Sequence, residues 1–190
     1  MDKKKVVCIA GLETVRNKTT GEVKYFADTF MNNIRTWVKE HKDCECKVLD
    51  ARDYCNLQDP MAKLWHDIKK SFDSLDKIVI SSHSDWEGLY IISKYRKGQI
   101  PDSARYIEYY TDWSEFSFNE SSEIWLIGCQ SGGRFGEKWP KCIAQDIANK
   151  TNTSVYAYAS RSSQQYVNGG YRQVPDIGGF HKFNKMEATT

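Results

Sequence analysis

Five short apolar runs punctuate the chain: "KVVCIAG" (5–11), "ECKVLDA" (45–51), "KIVISSHSD" (77–85), "EIWLIG" (123–128) and "SVYAYAS" (154–160). Such runs, β-branched and bounded by Gly or polar residues, are the pattern of buried strands. Between them lie stripes at helical spacing. Phe26, Phe30, Ile34, Trp37 and Val38 mark one helix through about residue 40. Met61, Leu64, Trp65, Ile68, Phe72 and Leu75 mark a second, with Asp59 as N-cap and Pro60 at the first helical position. Trp139, Cys142, Ile143 and Ile147 mark a third over about 138–150. Strands alternating with helices imply an α/β fold, a mainly parallel sheet with helices on both faces. The "LETVRNKTTGE" stretch reads as a polar loop and "GLYIIS" as a short extra strand. Residues 94–122 read as loop with a short helix near 102–111, and the glycine-bearing last 30 residues read as loop.

The length of 190 residues fits one domain spanning 1–190. A net charge of +2 gives no electrostatic reason for a nucleic-acid partner. The N-terminal apolar stretch is shorter than a signal-peptide core, and no run reaches membrane-span length. The expectation is therefore a cytoplasmic protein, with no membrane partner, whose six cysteines are reduced thiols. Cys44 and Cys46 form only C-x-C, which lacks the paired spacing of a zinc site, so no metal or other cofactor is expected. His41 and His66 read as surface or boundary residues, and Trp65 and Trp139 as core.

Parallel α/β sheets place their ligands at the carboxyl ends of the strands. His83 follows the third apolar run and Cys129 follows the fourth. If those strands are neighbours, about 4.8 Å apart, a thiol and an imidazole share one rim. A thiolate is a nucleophile, an imidazole can take its proton, and backbone N–H groups can hold an oxyanion. Gly132 and Gly133 would let the backbone approach a substrate closely.

"IVISSHSD" followed by "IWLIGCQSGG" resembles the two-block signature of clan CD cysteine peptidases, the caspase, gingipain and separase assemblage. The stretch "GCQSGG…FGEKWPKCIAQDIANKTNTSVYAYAS" is similar to the Cys loop, helix and next strand of bacterial CHAT-like proteases. The likeness covers about residues 76–160. It implies a three-layer caspase-like fold and a cysteine endopeptidase acting on a protein or peptide substrate. His83 would be the acid/base and Cys129 the nucleophile, with the Ser84 and Cys129 amides forming the oxyanion hole. It also leaves room for an activating protein partner and a role in a proteolytic or cell-death and defence response. The family has Gly directly after the His, whereas this chain has Ser84, which keeps an N–H but lacks glycine's access to positive φ.

Specificity stays open between two readings. Arg16 and Arg161 resemble a caspase-like acid-binding pair, suited to bidentate contact with a carboxylate. Asp50, Asp85 and Asp176 would instead line a pocket for a basic residue. Two alternatives to the peptidase also stand. One is a catalytically weak or inactive caspase-like binding module, with the aromatic "YIEYYTDWSEF" as a partner surface. The other is a serine α/β-hydrolase using Ser131 in "CQSGG" with the later His181.

Overall fold

The computed structural model describes residues 2–16, 19–20, 23–25, 27–84, 89–93, 116–128, 142–159, 162–167, 170–175 and 178–185. The first strand, β1 (Lys4–Ala10), is followed by β2 (Leu12–Arg16), β3 (Val23–Tyr25), helix α1 (Ala27–Glu40) and β4 (Cys44–Asp50). After a 3-10 turn at Ala51–Asp53 come α2 (Pro60–Lys69), β5 (Leu75–Ser81), β6 (His83–Ser84), β7 (Leu89–Tyr90) and β8 (Ile92–Ser93). The remaining elements are β9 (Phe118–Ile127), α3 (Ile143–Thr151), β10 (Ser154–Tyr158), β11 (Ser162–Val167), β12 (Gly170–Pro175) and β13 (Phe180–Phe183).

Six strands form the central sheet in the order β13-β10-β9-β5-β1-β4, all parallel except β13. Val6 to Ala10 of β1 are all fully buried, as a strand covered on both faces requires. Alternate residues divide between the faces. Val6, Cys8, Ala10 and Val79 pack with Phe30, Ile34 and Trp37 of α1. Val7, Ile9, Ile78, Ile80, Ile124 and Leu126 pack with Leu64 and Ile68 of α2 and with Ile143 and Ile147 of α3. The result is helix, sheet, helix. At about 1.5–3 kcal/mol per buried Val, Ile or Leu side chain, this two-faced burial is the main stabilising term.

The Asp59 cap forms as expected, its side chain accepting from the Ala62 N–H at 3.1 Å. Six expectations need correction. The second helical stripe overruns its helix: α2 ends at Lys69, Phe72 lies beyond it, and Leu75 opens β5. The loop expected over 94–122 gives way to β9 already at Phe118. The "LETVRNKTTGE" stretch is not a loop throughout: it begins as β2, which pairs with β3 and with β8. "GLYIIS" is split between β7 and β8, with Ile91 buried between them. The last 30 residues contain a β11–β12 hairpin and β13, which closes the sheet by pairing antiparallel to β10. Strand β13 escaped notice because "FHKF" is short and half-polar, and its backbone pairing rather than its hydrophobicity makes it a strand. Finally, α3 begins at Ile143, with Cys142 as its N-cap. The helix expected near 102–111, and Trp139, lie outside the described residues.

Candidate active site

The sheet order turns around between β1 and β5: the chain passes outward from β1 to β4 and then in the other direction through β5, β9 and β10. A crevice at the carboxyl ends of the strands belongs at such a switch point. There the chain leaves β1 at Gly11, whose N–H donates to Ser81 O at 2.8 Å, and Leu12 N donates to Ile91 O at 2.7 Å. A Cβ on Gly11 would meet Ser82 Cβ at 2.9 Å, so this tight crossing requires glycine.

Strands β5 and β9 are parallel neighbours, with Ser81 in register with Ile127. Both strands end at these residues, because the sequence turns polar after Ile80 and reaches Gly128 after Ile127. Ser82 N–H bridges the two ends by donating to Ile127 O at 3.3 Å. His83 and Ser84 then form β6, which folds back against Tyr90 and Leu89 of β7. Cys129 lies outside the described residues, but its covalent neighbour Gly128 is buried against the segment that carries the histidine. A Cβ on Gly128 would come to 2.7 Å from Ser82 O and 2.2 Å from Ser84 Oγ.

His83 is half-buried, and its ring stands edge-on to Phe30 of α1, with centroids 5.1 Å apart at 88°. Burial pushes the imidazole below its usual value, since the charged form loses hydration. The ring is therefore neutral near pH 7 and able to accept a proton. Asn33 Nδ2 donates to the buried Ser81 Oγ at 3.0 Å and ties α1 to the end of β5. Among the described residues, Asn152 is the non-glycine residue with positive φ, so Ser84 sits in a backbone conformation open to any residue. The glycine expected from the family pattern is not required at position 84 for backbone freedom.

The remaining site residues divide as follows. Arg16 is the last residue of β2, in register with Val23, rather than part of a loop. Asp50 ends β4 at the far edge of the sheet, where its carboxylate is engaged by Arg52 Nε at 2.8 Å and Nη2 at 2.6 Å; it is not free to line a pocket beside β5 and β9. Asp85, Ser131, Arg161 and Asp176 lie outside the described residues. His181 is an exposed residue of β13, in register with Ala157 of β10. Strand β13 stands two strand spacings, about 10 Å, from β9.

Two participants escaped sequence reasoning. Phe30 reads only as one member of a helical stripe, yet it forms the wall beside His83. Gly128 reads as a strand terminator, although a glycine at a strand end is itself a signal of close backbone approach. Among the described residues no group of three or more His, Cys, Asp or Glu side chains is placed to hold a metal, and no helix is long and apolar enough to cross a membrane. Comparison with known proteins finds no matching family model, no matching curated protein and no matching solved structure.

Proposed function

We propose that this chain is a cysteine endopeptidase of caspase-like fold, a single domain acting in the cytoplasm on protein or peptide substrates through His83 and Cys129. The observation that carries the reading is the close packing of Gly128 on Ser82 and Ser84. It joins the immediate chain neighbours of the thiol and the imidazole at the ends of two adjacent parallel strands.

In this reading His83 takes the Cys129 thiol proton as sulfur attacks the scissile carbonyl carbon. The oxyanion is held by backbone N–H groups of Cys129 and Ser84. Collapse breaks the C–N bond, and the imidazolium returns its proton to the leaving amine. Water, deprotonated by the same ring, then hydrolyses the thioester and restores the thiol.

The test is hydrolysis of a fluorogenic peptide panel by the wild type, Cys129→Ala and His83→Ala proteins, with iodoacetamide labelling of the intact chain. Loss of hydrolysis in both variants, with the fold retained by circular dichroism, supports the dyad. Cleavage that survives Cys129→Ala removes the thiol mechanism. Labelling of Ser131 by a fluorophosphonate would favour the serine hydrolase instead.

A further inference from the structure

A groove opens on the α1 face of the sheet, beside the rim that carries the proposed dyad. Its walls are Trp37 of α1, Trp125 and Ile127 of β9, Tyr158 of β10 and Phe180 of β13. The aromatic walls are fixed against one another: Tyr158 stacks on Phe180 at 4.2 Å, and Trp125 meets Phe180 edge-on at 4.8 Å. The cavity holds about 210 Å³. An apolar cavity of about 150 Å³ is enough to admit benzene, so there is room for one aromatic or branched aliphatic side chain. Ile127 joins groove and rim: it is the last residue of β9, and Cys129 is two residues further along the chain, a span of at most about 7 Å.

The groove's electrostatics argue against both charged specificities. Lys77 Nζ already lies 5.5 Å from the Trp37 ring centroid and 5.2 Å from that of Trp125, and it is paired with Glu123 at 2.9 Å. Trp37 also stacks on the His41 ring at 3.8 Å and Trp125 on the Tyr156 ring at 4.4 Å, so an incoming Lys or Arg would find the π faces of both indoles already engaged. An incoming Asp or Glu would be desolvated among four aromatic rings, near Glu40, the carboxylate that lines the cavity.

Building on the peptidase reading, we infer that this groove is a substrate subsite for a neutral aromatic or large aliphatic side chain lying close to the scissile bond. The neutral side chain displaces water from apolar walls without disturbing the Lys77–Glu123 pair.

The test separates binding from catalysis. Blocked peptides that differ only in carrying Phe, Lys or Asp are titrated calorimetrically into the Cys129→Ala protein. The Phe peptide is expected to bind at least tenfold more tightly than the other two. Thr36→Trp, which fills the groove from the half-buried face of α1, is expected to weaken Phe binding at least tenfold. Phe180→Ala, which removes one wall, serves the same purpose if Thr36→Trp does not fold. Equal affinities for the three peptides, or Phe binding unchanged in the filled groove, would overturn the inference. Cleavage by wild type without preference for Phe peptides would also overturn it and leave the dyad standing. Phe binding that the filled groove abolishes, without any cleavage by wild type, would remove the peptidase and with it the subsite role, leaving only a peptide-binding groove.

Discussion

Gly128 has no room for a side chain, because Ser84 stands where its Cβ would be, with Oγ 2.2 Å from that position. This contact sets the spacing between the end of β9 and the segment bearing His83. In Gly128→Ala, the serine hydroxyl can rotate, but Ser82 O, at 2.7 Å, belongs to the backbone and must move. Overpacking of this kind costs about 1–3 kcal/mol. Urea unfolding should register that loss, and peptide hydrolysis should fall further than stability alone explains. Adding Ser84→Gly relieves one clash of the two, so it should restore part of the stability. Full stability in Gly128→Ala alone would contradict the packing.

His83 gives a pH dependence with a definite sign. Burial lowers its folded pKa below the ordinary 6.5, so between the two values the unfolded chain binds more protons than the folded one. Stability therefore rises with pH through that window and is lost as pH falls below about 6.5. His83→Gln should flatten this part of the stability curve. For the enzyme, kcat/KM should hold down to a limb below pH 6.5 and then fall about tenfold per pH unit as the base becomes protonated. A limb centred above 6.5 would mean that His83 is charged in the resting site.

Asp59 offers a test of the α2 face, remote from the rim. Its carboxylate caps the helix through Ala62 N–H at 3.1 Å. Asp59→Ala should lower stability by about 1 kcal/mol, measured by thermal unfolding, while Asp59→Asn should retain most of it. Hydrolysis at a temperature well below the transition should be unaffected by either variant.

How much of this was legible in the sequence depends on where each signal resides. The five parallel strands and the three helix stripes announce themselves because each buries a continuous apolar surface, and burial dictates composition. The neighbouring ends of β5 and β9 follow from the same pattern, as does the position of His83 just past Ser81. What escaped are elements held by backbone pairing. Strands β2 and β13 carry Glu13, Thr14, His181 and Lys182 among their few residues, and polar composition conceals them. The contacts that shape the site, Phe30 against His83 and Ser84 against Gly128, join residues distant in sequence and leave no local pattern.

Lys77 is the least expected residue of the sheet, an ammonium at 8% exposure on a central strand. It bonds Glu123 Oε2 at 2.9 Å, and Trp125 Nε1 donates to the same oxygen at 2.9 Å. Burial pushes the Glu123 carboxyl up, but these hydrogen bonds and the ammonium charge outweigh it and hold the group below its ordinary value. With a lowered folded pKa, the pair contributes stability above about pH 4.5 that is lost as pH falls through the folded value. Lys77→Met leaves the carboxylate short of a partner and should cost about 1–3 kcal/mol near neutrality, with a flatter acid limb than wild type. Lys77→Met with Glu123→Gln removes both charges and should recover much of the loss, since a buried pair is often replaceable by uncharged groups. Urea unfolding at pH 7 and pH 4 measures both effects. A double variant no more stable than Lys77→Met would show that the ammonium acts through its contacts with Trp37 and Trp125 rather than through Glu123.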